Sequence, residues 1–286
     1  MKLNKEILQK IKHIEIQTRR LLSGSLVGDY SSAQKGSGME FDQIREYQQG
    51  DDIRFIDWNA TARSGKLLVK QYIEERNRNV MLLVDSSGST LFGSTQHLKS
   101  EIIAQVASVL ALVADCGKDH VGALLFSEQV NKMVAPKRGR QHIHHLMEQF
   151  FSYQGEGKTS LENVLKKLID VQKQKSIVFI ISDFLDNGYE KLLKIAARKH
   201  DVIAVRCNDP REVELPEFGF LPVQDSETGE QVTLKTSKSI ISKTLQQHHK
   251  QTEDMLKRSG VEVMDISFDK PFVGDIIRFF RRRMMY

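Results

Sequence analysis

Five short runs rich in Val and Ile recur along the chain, each bounded by polar residues. They are NVMLLVDSS from 79, HVGALLFSE from 120, SIVFIISDF from 176, DVIAVRCND from 201 and GVEVMDISF from 260. Their hydrophobicity is nearly continuous rather than alternating, which is the pattern of strands covered on both faces in a parallel sheet. Helical patterns lie between and after them, over 97–116, 138–151, 160–173, 189–199, 238–259 and 271–283. Pro271 suits the first turn of the last helix, where its missing N–H has no partner to lose. Strand alternating with helix predicts an open, mostly parallel α/β sheet with helices on both faces and right-handed crossovers. VNKMVAP, from Val130, follows the second run after only a tight turn. A connection that short forces an antiparallel partner, so this strand is expected at a sheet edge. FLPVQDSETGEQVTL, 220–234, predicts a further hairpin, part of an insertion near 213–234, turning at Asp225, Ser226 and Gly229.

Residues 1–77 follow another pattern. A helix is expected over 4–22, with Ile7, Leu8, Ile11, Ile14 and Ile16 as its apolar positions. A Gly- and Ser-rich loop comes next, then short alternating runs with turn signals at Gly50-Asp51 and Ser64-Gly65. The expected division is therefore 1–77, a helix with a small β-rich appendage, and 78–286, the α/β domain.

Composition changes this picture little. The 286 residues are 40% hydrophobic and 28% charged. That is ordinary for a globular chain and excludes a mainly disordered one. The apolar stretch Ile102–Ala114, bounded by Glu101 and Asp115, is shorter than the roughly 18 to 20 residues that cross a bilayer. The first residues contain no apolar leader core, so a cytoplasmic protein is expected. Cys116 and Cys207 are far apart, and both are expected as reduced, buried thiols. The net charge of +5 is a mild excess. Arg278, Arg281, Arg282 and Arg283 cluster at the end, as a solvated helix terminus or as a patch for phosphates or an anionic membrane face.

Ligands of open α/β sheets bind at the carboxyl ends of the strands. The first strand ends in Asp85-Ser86-Ser87-Gly88-Ser89, and the third run ends in Ser182-Asp183. The loop before the helix at 160 carries Lys158-Thr159. Asp85, Ser87, Ser89, Thr159 and Asp183 are all hard oxygen donors. Such a set suits Mg²⁺ or Mn²⁺ and contains neither imidazole nor thiolate to favour zinc. It also leaves the ion undersaturated, open to a carboxylate from a partner. The competing reading is that Asp85 and the serines only cap the next helix.

This order of residues resembles the metal-ion-dependent adhesion site of von Willebrand factor A domains: Asp-x-Ser-x-Ser after the first strand, a Thr in a second loop, an Asp after the fourth strand. The resemblance implies a metal site at Asp85, Ser87, Ser89, Thr159 and Asp183. A second resemblance is longer. Arg45, Tyr47, Gly50, Asp51, Asp52, Arg54, Ile56, Asp57, Trp58, Ala62 and Arg63 follow the signature of a bacterial family known as domain of unknown function fifty-eight. The likeness runs from about residue 36 to the end. Thr90 stands where members often have Met, and this touches no expected ligand. The resemblance implies a non-enzymatic, Mg²⁺-dependent interaction module that works with a MoxR-type AAA+ ATPase, or holds a client through an acidic side chain, in assembling or maturing other proteins. The alternatives are a metal-dependent hydrolase and a basic binder of nucleic acid or a membrane surface. Nucleic acid is the less expected partner; peripheral membrane contact stays open.

Other candidates are set aside. Asp51, Asp52 and Asp57 alternate with Arg45, Arg54 and Arg63, a pattern of structural ion pairs that orient a loop, with Trp58 as the expected packing anchor. Gly157-Lys158-Thr159 ends like a phosphate loop, but Ser152 replaces its first glycine and a helix precedes it. His142, His144, His145, His248 and His249 have no metal-ligand spacing and read as solvated helix faces. Ser87 and Ser89 have no adjacent sequence motif for a nucleophile, so no catalytic residue is assigned.

Overall fold

Six of the expected strands assemble into one sheet. The computed structural model describes residues 5–23, 39–74, 78–93, 98–153, 157–209, 211, 219–224, 231–236, 241–268 and 271–284. The elements are α1 (Lys5–Ser23), β1 (Met39–Glu46), α2 (Trp58–Ser64), β2 (Leu68–Glu74), β3 (Asn79–Asp85), α3 (Lys99–Cys116), β4 (His120–Phe126), β5 (Val130–Lys137), α4 (Arg140–Ser152) and α5 (Leu161–Val171). They continue with β6 (Ser176–Ser182), α6 (Glu190–Lys199), β7 (Asp201–Asn208), β8 (Gly219–Gln224), β9 (Gln231–Thr236), α7 (Ile241–Arg258), β10 (Glu262–Ser267) and α8 (Val273–Met284).

The main sheet has the order β10-β7-β6-β3-β4-β5. All its pairs are parallel except β4 with β5, so β5 is the antiparallel edge strand. This is the open α/β architecture expected from the hydrophobic runs. β3 lies in the middle and explains why those runs do not alternate. Val80, Leu82 and Val84 enter a core formed with α1, α3, α4 and α8. Met81 and Leu83 enter a second core, with α5, α6 and α7. Both faces of the strand therefore need apolar side chains.

The chain divides into two compact units. One contains α1 and the described residues from Arg78 onward; the other contains the described residues from Met39 to Glu74. So α1 groups with the α/β unit, not with the appendage where the sequence analysis put it. Ile11 and Ile14 are buried in the core beside α3, and Ile7 packs against them. These three lie on one stripe with Thr18 at spacings of four, three and four, while Leu8 and Ile16 fall off it and are exposed.

The smaller unit is an antiparallel hairpin, β1 with β2, bulged between Phe41 and Gln43. It also holds a short helix, α2, which the expectation of a β-rich appendage did not include. Asp57 caps α2 by accepting from Ala60 N at 3.0 Å, and Gly65 closes it in the left-handed conformation at φ 70°. The expected ion pairs are formed within this unit. Arg45 reaches both Asp51 oxygens at 2.7 Å, and Arg54 holds Asp52. Asp57 pairs with Lys70 at 3.5 Å rather than with Arg63. Trp58 is not a packing anchor: as the first residue of α2 it is 66% exposed.

The insertion contains the antiparallel pair β8–β9, while Asp225, Ser226 and Gly229 lie outside the described residues. Both cysteines are free, but Cys116, the last residue of α3, is exposed; only Cys207 is buried as expected. No described helix is long and apolar enough to cross a membrane.

Candidate metal centre

The site is built where β3 and β6 end, side by side. β3 delivers Asp85, and Ser86 is pinned to the neighbouring strand: its N and Oγ both donate to Phe126 O at 2.8 Å. The chain then turns through a 3-10 segment, Gly88–Leu91, which starts from Ser87. Thr90 Oγ1 donates back to Ser87 O at 2.7 Å. The second loop is stitched in by Gly88 N to Gly157 O at 3.0 Å and by Ser160 N to Ser127 O at 2.9 Å. After β6, Phe184 takes a left-handed φ of 59°. Non-glycine residues rarely hold that conformation, and such strain concentrates at functional sites. Phe184 N donates to Ser182 Oγ at 3.2 Å and Leu185 N to Asp183 Oδ1 at 3.2 Å, which together hold the bend.

All five residues singled out from the sequence meet here. Ser87 N and Oγ donate to Asp85 Oδ1 at 3.0 and 2.7 Å. Thr159 Oγ1 donates to Ser87 Oγ at 2.7 Å. The Ser87 and Ser89 hydroxyl oxygens are 3.0 Å apart, and Ser89 Oγ donates to Asp183 Oδ2 at 3.3 Å. The result is a chain of oxygens running from one carboxylate to the other. It is less exposed than a surface loop site: Asp85, Ser87 and Asp183 are buried, while Ser89 and Thr159 are half-buried.

Burial, reinforced by the charge on Asp183, pushes the Asp85 carboxyl up to about 7, against the hydrogen bonds from Ser182 and Ser87. A buried carboxylate next to a second one is unstable without a compensating cation. The donor chemistry therefore fits a hard divalent ion, with hydroxyl, carboxylate and water oxygens as ligands. Hydroxyls outnumber carboxylates. Among the described residues no three His, Cys, Asp or Glu side chains gather into a metal cluster.

Two participants were missed in the sequence. Ser182 Oγ donates to Asp85 Oδ2 at 2.6 Å. Lys99, fully buried, places Nζ 3.0 Å from Asp183 Oδ2. One signal pointed to Lys99: it opens α3, where the helix dipole disfavours a cation unless an acid is near. Beside Asp183 a cleft of about 40 Å³ is lined by Leu185, Arg206, Asn208, His248 and His249. His249 is half-buried there, 3.2 Å from the Asn208 amide, rather than on a fully solvated face. In α4, His142 Nε2 contacts Val121 O at 2.7 Å. Two of the C-terminal arginines are engaged locally: Arg278 with Asp275 at 3.3 Å, Arg282 with Glu262 at 2.9 Å and over the Phe279 ring.

The chain is similar to an uncharacterized protein of Mycobacterium tuberculosis, with 29% identity over 96% of this chain and 88% of that one. Among solved structures it is similar to an aerotolerance-related membrane protein from Bacteroides fragilis, at 14% identity, covering 73% of this chain and 98% of that one, with a TM-score of 0.49. A manganese-loaded TRAP protein of Plasmodium vivax is similar at 16% identity over 47% of this chain and 58% of that one, with a TM-score of 0.37. The family described as "Protein of unknown function DUF58" matches residues 43–255, and the chain belongs to that family.

Proposed function

We propose that the chain is a non-enzymatic protein-interaction module whose site takes Mg²⁺, or Mn²⁺, through Asp85, Ser87, Ser89, Thr159 and Asp183 and docks an acidic side chain of a partner. The observation that carries this reading is the continuous hydroxyl path, Thr159 to Ser87 to Ser89, between two buried carboxylates. Three separate loops supply it, which a simple helix cap does not need. When bound, a divalent ion there supplies Lewis-acid attraction for an incoming carboxylate oxygen. The protein's own residues hold the site in shape: Ser182 fixes Asp85, and the Leu185 N–H fixes Asp183. The Ser87 and Ser89 hydroxyls bond to oxygen groups, an arrangement suited to coordination rather than to nucleophilic attack. Leu91, Phe92, Leu98 and Leu185, close in sequence to the site residues, are large and exposed, and they offer apolar contact to a docked protein. A MoxR-type AAA+ ATPase, or a client that it remodels in the cytoplasm, is the partner that we propose.

A pull-down from native lysate tests this in three arms: wild type with Mg²⁺, wild type with EDTA, and Asp85→Ala with Mg²⁺. A partner retained only in the first arm is expected. Retention in all three moves the interface to another surface and refutes metal-bridged docking.

A further inference from the structure

Lys99 brings to the centre a cation that the metal reading alone does not call for. Its side chain is 0% exposed, and Nζ lies 3.0 Å from Asp183 Oδ2. Lysine is almost never fully buried unless paired, and here it also stands at a helix start, against the dipole. Asp183 Oδ2 is the same oxygen that accepts from Ser89, one of the hydroxyls assigned to the metal. The ammonium and a divalent ion held by Ser89 and Asp183 would therefore draw on the same carboxylate. The charge count makes this consequential. Asp85 and Asp183, ionised, with Lys99 sum to one negative charge; a divalent ion turns the sum to one positive. A single carboxylate from outside then brings it to zero. Without Lys99 the loaded centre already sums to zero, and a docked carboxylate, still attracted by the ion's open position, would leave it one negative charge in excess.

We propose that Lys99 is a tethered competitor for Asp183, holding that carboxylate in the metal-free chain, weakening metal binding, and leaving the loaded centre one positive charge to be met by one partner carboxylate. This rests on the metal reading above.

The test is Mn²⁺ binding to the full chain, followed by electron paramagnetic resonance, for wild type, Lys99→Met, Lys99→Gln and Asp85→Ala. Removing a cation a few ångströms from a divalent ion is expected to tighten the Mn²⁺ Kd by more than about ten-fold in both Lys99 variants. In EDTA the Lys99→Met melting temperature is expected below wild type, with Mn²⁺ restoring it. Folded Lys99 variants that bind Mn²⁺ no tighter than wild type overturn the inference and leave the metal reading standing. Wild type and Lys99 variants that all bind no better than Asp85→Ala overturn the metal reading, and the inference with it. A measurement on wild type covers the case in which the variants do not fold. Saturating Mg²⁺ is expected to shift the Lys99 ε-carbon resonance, and an unchanged resonance in a Mg²⁺-loaded chain overturns the inference.

Discussion

Asp85→Asn is expected to stabilise the metal-free protein at alkaline pH and not at acid pH. Asp85 is 1% exposed, and its carboxyl is pushed up to about 7, first by burial and then by Asp183. The unfolded chain ionises this group near ~3.9. A folded pKa above the unfolded one gives stability that is full below the unfolded value and is lost as pH rises through the folded value. Three pH units of difference set a ceiling of ~4 kcal/mol on that loss above pH 7. Asparagine removes the charge and its titration. Its amide oxygen retains the bonds from Ser87 N and Oγ, now on Asp85 Oδ1. Its NH₂ meets Ser182 Oγ, which must turn from donor to acceptor while it already accepts from Phe184 N. That rearrangement costs ~1 kcal/mol. The expected net gain is ~2–3 kcal/mol at pH 8.5, falling to about zero at pH 4.5. Urea unfolding in EDTA at the two pH values reads both numbers. Mg²⁺ should then raise the stability of the wild type and not of the variant. A stability difference that does not change with pH, or a loss at pH 8.5, would sink the reasoning.

Three further changes probe the scaffold. In Gly122→Ala the new Cβ meets Met81 Sδ, Pro136 N and Val134 O, each at 2.9 Å, where β5 crosses a register shift against β4. A stability loss of ~1–3 kcal/mol is expected by urea unfolding, and no loss refutes the close approach. Leu168→Ala, on α5 with a fully buried side chain, is expected to lower stability by ~2–5 kcal/mol while leaving Mn²⁺ affinity unchanged; a parallel fall in affinity would couple that core to the site. Asp57→Ala removes the α2 cap, so faster hydrogen exchange is expected at the Ala60 amide but not at amides of β3, and unchanged exchange at Ala60 refutes the capping role.

The sheet was legible because β3, β6 and β7 are covered on both faces and so leave continuous apolar runs. The five oxygen side chains were legible because Asp85, Ser87, Ser89 and Asp183 directly follow two of those runs, while Thr159 stands just before the helix that opens at Leu161. What stayed hidden was either too short or too distant in sequence. Seven residues of α2 give no helical period to read, and its start rests on a single acid, Asp57. Trp58, the expected anchor, opens a short helix, and a residue there need not face a core. Cys116 ends an apolar helix whose burial stops two residues earlier, at Ala114. Lys99 and Asp183 lie 84 positions apart, and no local pattern encodes their contact. Yet that contact sets the charge of the centre. Two carboxylates alone demand a divalent ion; two carboxylates with a buried lysine are already half compensated. The sequence locates the five oxygen side chains, and the tertiary placement of one lysine adds a positive charge beside them, which on the proposed reading tunes both metal binding and the docking of a partner carboxylate.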